Sequence, residues 1–96
     1  MKFEWDPLKN KANILKHKVS FEEAETVFDD KNAKYIYDES HSGSEDRFHI
    51  IGVDAGFKEL NVCHCYRGAD EDIIRIISAR KATKTEIDYY YGRIEI

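Results

Sequence analysis

The sequence predicts an α+β fold in which two N-terminal helices and one C-terminal helix pack on an antiparallel sheet of about four strands. Three observations predict it. Helix-start signals fall at Asp6-Pro7 and again at Ser20 with Glu23; the apolar period becomes two from residue 34; and the turn signatures "DAGF" and "RGADED" divide the apolar runs that follow.

The elements follow in order. After a strand-like "KFEW", Asp6 caps free amides and Pro7 fits the first helical position, where its missing N–H is no loss. Leu8, Ala12 and Leu15 recur at i, i+4 and i+7, so the first helix is expected from about Pro7 to His17 with those residues buried. "VSFEEAETVFDD" restarts a helix, with Ser20 and Glu23 in capping-box spacing and Phe21, Ala24 and Phe28 as its inner face. "AKYIYDE" is a short strand, and "ESHSGSED", with Gly43 and three serines, is a polar loop. "RFHIIGV" and "KELNVCHCYR" flank a hairpin turn in which Gly56 can take positive φ. This register sets Phe48 and Ile50 opposite His64 and Val62, and gathers Arg47, His49, Cys63, Cys65 and Arg67 on the other face. "DIIRIISARKAT" is a further strand, and "TKTEIDYYYG" is a terminal helix, with Thr83 and Glu86 repeating the capping box and Gly92 ending it.

The chain has 96 residues, which suits one domain over residues 1–96. Its 42% hydrophobic and 35% charged residues are those of a soluble globular protein. The longest apolar runs fall far short of a membrane span, and the N-terminus has no signal-peptide core, so a cytoplasmic location with no membrane partner is expected. A net charge of −4 argues against a polyanionic partner until its distribution is considered. Residues 1–18 are lysine-rich, residues 19–31 carry five acids against Lys31, and the span 75–84 holds Arg75, Arg80, Lys81 and Lys84 with no acid. Solvated faces on an acidic protein would also explain this pattern. Cys63 and Cys65 share one strand face, where two thiols pack as small hydrophobes; a zinc site would have to recruit His41 or His49. No metal or cofactor is expected.

The arginines of the strand "DIIRIISARKAT" need an account. Isoleucine stands at both parities, so the strand should be an inner one, and Arg75 must reach a carboxylate such as Glu45 or line an open cleft. Arg75 and Arg80 have opposite parity. They can serve one site only if the strand bulges near Ser78. With Arg67 they could converge on a phosphodiester, because guanidinium forks match phosphate oxygens in a bidentate way. The competing reading gives Arg75 an internal ion pair and leaves Arg80 solvated. His17 suits proton transfer, with Glu45 as a second candidate base, although His17 also suits a helix C-terminus.

"FEWDPLKNKANILKH", "VSFEEAETVF", the Glu45 and Arg47 pair followed by "IG", Arg67, "IRIISARKAT", Glu86 and Tyr90 together resemble the BrnT toxins of bacterial type II toxin–antitoxin systems. The resemblance covers nearly the whole chain. It implies a RelE-like ribonuclease fold, RNA cleavage that arrests translation, and neutralisation by a BrnA-type antitoxin that carries the DNA-binding domain. It places Arg67, Arg75, Ser78, Arg80 and Tyr90 at the family's catalytic positions. Arg47, Lys81, Lys84 and Lys9 are the expected RNA-binding residues, and two toxins on an antitoxin dimer the expected assembly. Operator DNA would be reached only through the antitoxin. Two positions depart from the family pattern: Lys18 stands for a glycine after Lys-His, and Ile87 for a basic residue after Glu86. The rival readings are a non-catalytic module that docks an acidic partner or nucleic acid, and a Cys-His metal protein.

Overall fold

A computed structural model describes residues 1–96. Five strands form one sheet: β1 (Lys2–Glu4), β2 (Lys34–Tyr37), β3 (Phe48–Val53), β4 (Glu59–Arg67) and β5 (Ile73–Lys81), in the order β1-β5-β4-β3-β2. The helices are α1 (Pro7–His17), α2 (Phe21–Glu25) and α3 (Lys84–Tyr90), with 3-10 turns at Thr26–Asp29 and Glu39–His41. β2 to β5 are the expected antiparallel meander. The all-antiparallel sheet is corrected by β1, which pairs parallel to β5 with Glu4 beside Arg75. That strand makes β5 an inner one.

Local signals behave as their chemistry requires. Asp6 accepts from the Leu8 amide at 2.8 Å, and both capping boxes close, at Ser20 with Glu23 and at Thr83 with Glu86. α2 is a single short helix that tightens into a 3-10 turn, carrying Phe21, Ala24 and Val27 into the core. There they meet Ile50, Leu60, Val62, Ile74, Ile76 and Ala79 from the sheet. At the hairpin, Phe57 rather than Gly56 takes positive φ (64°). Two Asp54 Oδ1 hydrogen bonds, from the amides of Gly56 and Lys58, fix that turn instead.

α1 reverses its expected orientation. Leu8 and Leu15 are exposed, and the buried side chain is Asn13. β1 pairs with β5 only as far as Arg75, so Ala79 meets no strand on that side. Asn13 takes the place of one: its amide donates to the Ala79 carbonyl at 2.8 Å and accepts from the Ala79 N–H at 3.1 Å. A third bond, to the Val19 carbonyl, secures the chain after the helix. Pairing a strand's backbone outweighs burial of two leucines because an unmet buried N–H or C=O costs about 1–3 kcal/mol each. Lys18 ends α1 in the left-handed conformation, φ 60°.

Candidate active site: a polar hollow on the open face of the sheet

β5 regroups its side chains through one irregularity. Cys63 pairs with Ser78 and His64 with Ile76, which leaves Ile77 unopposed as a bulge. Ile74, Ile76 and Ala79 therefore all point into the core, while Arg75, Ser78 and Arg80 share the opposite face with Cys65, Cys63 and Asn61 of β4. This is the bulge near Ser78 that a common site demanded. The β3–β4 register adds His49 opposite Cys63, as expected.

On this face lies a hollow of about 410 Å³. Ser78 and Arg80 of β5, His49 of β3 and Cys63 of β4 line it; Arg47 flanks it before β3, and Asp38, Ser40 and His41 from the 3-10 turn close one side. Its side chains form one hydrogen-bonded chain. Asp38, at the N-cap of the turn, holds His41 Nδ1 at 3.1 Å and His49 Nε2 at 2.8 Å. His49 Nδ1 meets Asn61 Oδ1 at 2.7 Å, so both nitrogens of this ring face acceptors. Asn61 Nδ2 donates to Glu86, which takes Arg80 in a bidentate pair at 2.8 and 2.9 Å.

The charges are set by this chain. Burial pushes the Asp38 carboxyl up, but hydrogen bonds from His49, His41 and Ser40 outweigh it and hold the group well below the usual carboxylate range. Burial likewise opposes ionisation of Glu86, and Arg80, the Thr83 amide and Asn61 bring it down to about 2. His41 has its Nδ1 committed to Asp38 and its Nε2 free, on a side chain 69% exposed. Arg47 is the one arginine without an ion pair: Arg67 is held by Glu45, Arg75 by Glu4, Arg80 by Glu86 and Arg93 by Asp88.

The expected convergence of Arg67, Arg75 and Arg80 is thus corrected, since Arg80 alone of the three lines the hollow. Arg75 donates to Glu4 at 2.6 Å, a partner delivered by the parallel strand β1. Arg67 sits at the exposed end of β4 with Glu45, and that pairing, more than any other cause, lowers the Glu45 carboxyl and weakens it as a base. His17 belongs to α1, which lies along β5 beyond the end of β1 through the bonds between Asn13 and the Ala79 backbone, and it does not line the hollow. Tyr90 donates to Asp30 at 2.6 Å, away from the hollow; burial, then Asp30, pushes its phenol up to about 12. Among the expected RNA contacts only Arg47 is at the hollow. Lys9 is on α1, Lys84 pairs with Asp88, and Lys81 is exposed at the end of β5. Asp38 and Asn61 were not expected as site residues, and His41 and His49 were considered only as recruits to a zinc site, although strand parity placed His49 beside Cys63 and Arg47.

A family described as "Ribonuclease toxin, BrnT, of type II toxin-antitoxin system" matches the chain over residues 5–86. The chain belongs to the BrnT family. Among solved structures, the crystal structure of the Brucella abortus ribonuclease toxin BrnT is similar at 28% identity and a TM-score of 0.67, covering 88% of this chain and 99% of that one. No curated protein matches. This BrnT chain is accordingly a ribonuclease toxin of a type II toxin–antitoxin system, with RNA as substrate and an antitoxin as partner. The family match ends at Glu86, so Arg47, Ser78 and Arg80 lie inside it and Tyr90 outside. No helix is long and apolar enough to cross a membrane.

Proposed function

We propose that this chain is a metal-independent endoribonuclease that cuts RNA in the hollow between Arg47 and Arg80 and so arrests translation, within a RelE-like scheme. One observation carries the reading. An arginine free of any carboxylate, a serine hydroxyl and a second arginine line the same hollow as an imidazole whose far nitrogen is oriented by a half-buried aspartate.

The RNA 2′-oxygen attacks the adjacent phosphorus, its proton passing to His41 Nε2; the new O–P bond forms as the bond to the 5′-oxygen breaks, and that oxygen takes a proton from water, leaving a cyclic phosphate and a 5′-hydroxyl, after which His41 returns its proton to solvent. Asp38 keeps the second His41 nitrogen engaged, which aims Nε2 outward and stabilises the ring once it takes the proton. Arg47 meets the phosphorane charge. Arg80 adds to it with the N–H groups that Glu86 and the Lys81 carbonyl leave unused, and Ser78 offers a hydroxyl. A BrnA-type antitoxin would neutralise the toxin by covering this hollow or docking beside it, two toxins to an antitoxin dimer, with operator DNA bound by the antitoxin alone.

Cleavage of a single-stranded RNA in excess chelator tests the reading. The wild-type chain should cut, and His41→Gln should lose most of the rate while still binding its antitoxin. Cleavage unchanged in His41→Gln removes the imidazole from the mechanism. Antitoxin binding without cleavage by the wild type favours the non-catalytic module.

A further inference from the structure

We propose that the hollow is also a transition-metal site, built from Asp38, His49 and Cys63, and that Zn²⁺ bound there switches RNA cleavage off. The regulatory half rests on the ribonuclease reading; the site itself does not. The donor atoms of these three side chains all lie within 4.8 Å of one another. A tetrahedral zinc ion holds its ligands about 3.5 Å apart; Asp38 Oδ2 and His49 Nε2, now 2.8 Å apart, would open slightly and the widest pair would close by roughly 1 Å, both within reach of side-chain rotation. An imidazole, a carboxylate and a thiol are a ligand combination suited to zinc, and three protein ligands leave a fourth position for water or an anion from the hollow.

A second observation points the same way. A metal-bound histidine needs its other ring nitrogen tied to an acceptor, which fixes the tautomer and the direction of the metal-binding lone pair. His49 has that tie already: Nδ1 meets Asn61 Oδ1 at 2.7 Å, and Asn61 is itself anchored to Glu86 at 2.8 Å. Asp38 is braced in the same way by Ser40 and His41 through Oδ1. Cys65 has no part in this. Its thiol lies beside Arg67 and Glu45 instead.

Binding releases the thiol proton of Cys63 and any proton on His49 Nε2 to solvent. The ion would break the Asp38–His49 bond and draw Asp38 away from His41. His41 would then lose the brace that aims its Nε2 at the 2′-hydroxyl, and that loss opposes cleavage.

Co²⁺ is the probe. The wild-type chain should take up one equivalent with intense tetrahedral visible bands and a thiolate-to-cobalt charge-transfer band, both discharged by Zn²⁺. Cys63→Ser and His49→Gln should lose the charge-transfer band, and Cys65→Ser should keep it. Asn61→Ala should weaken zinc about 10–100-fold. One equivalent of Zn²⁺ should then stop cleavage by the wild type and spare Cys63→Ser. Absence of the band in the wild type, or its survival in Cys63→Ser, overturns the site whether or not RNA is cut. A cobalt-binding chain whose cleavage ignores zinc overturns the switch. A chain that binds cobalt as described but never cuts RNA overturns the ribonuclease reading and leaves the site standing.

Discussion

The two faces of this sheet solve the burial of polar groups in opposite ways. On the closed face the polar atoms of Asn13 are all spent on backbone, and His64 sits wholly buried among Phe28, Tyr35, Phe48 and Tyr66 with its Nε2 unpartnered. On the open face a chain of side chains runs from His41 through Asp38, His49, Asn61 and Glu86 to Arg80, with Arg47 left over. One face uses polarity to define the fold, the other keeps hydrogen-bonding capacity in reserve for a ligand. Substitutions on the first should therefore cost stability and on the second activity.

The largest expected effect is on the closed face. Asn13→Ala leaves the Ala79 N–H and C=O without partners, and two stranded backbone groups at about 1–3 kcal/mol each should destabilise the chain by roughly 3–5 kcal/mol in urea unfolding. A loss below about 1 kcal/mol would show that water reaches Ala79.

His64 comes next. Burial holds its ring down at about 4 against an ordinary value near 6.5. The unfolded chain thus binds the extra proton first, and stability rises with pH across that window. Acidification from about 6.5 to about 4 should remove roughly 3 kcal/mol, and His64→Phe should flatten the slope above the carboxylate range. An unchanged slope in His64→Phe would assign it to another group.

Arg47→Ala is the counterpart on the open face. Removing one charge-assisted contact worth about 1.5–3 kcal/mol should slow cleavage about 10–100-fold. Stability should move by less than about 0.5 kcal/mol. Comparable losses in both would place Arg47 in the architecture instead.

Lys18→Gly should give the smallest change, a gain of about 1 kcal/mol, because the left-handed helix end that Lys18 adopts suits glycine. A lower melting temperature would mean that the lysine contact with the Leu15 carbonyl matters more than the backbone.

Local chemistry made much of the fold legible. Asp6-Pro7, both capping boxes and the change of period give the helices and the meander their places, and parity put Arg47, His49 and Cys63 on one face. Long-range pairing was hidden. Nothing near Lys2–Glu4 says which strand it joins, so neither the parallel edge nor the capture of Arg75 by Glu4, 71 residues away, could be read. Asn13 was invisible for the same reason, since its value depends on how far β1 extends along β5. The apolar spacing of Leu8, Ala12 and Leu15 was real and pointed to the wrong side. Asp38, at the end of the expected strand "AKYIYDE", and His41, in the polar loop after it, carried no signal of the turn that folds them over the sheet.

The unopposed Ile77 makes the placement of the arginines a matter of counting. Upstream and downstream halves of β5 each obey strict alternation, yet they are out of step by one, and both the core and the hollow depend on that offset. Drawing Ile77 into an unbroken ladder would force a choice: either Ile74 and Ile76 turn to solvent, or Ser78 and Arg80 turn into the aliphatic layer. Losing its codon would not, because Ile76 and Ser78 would then be neighbours already on opposite faces. A deletion that looks drastic would therefore spare both the core and the hollow, whereas an extra codon beside it would have to be absorbed by a second bulge.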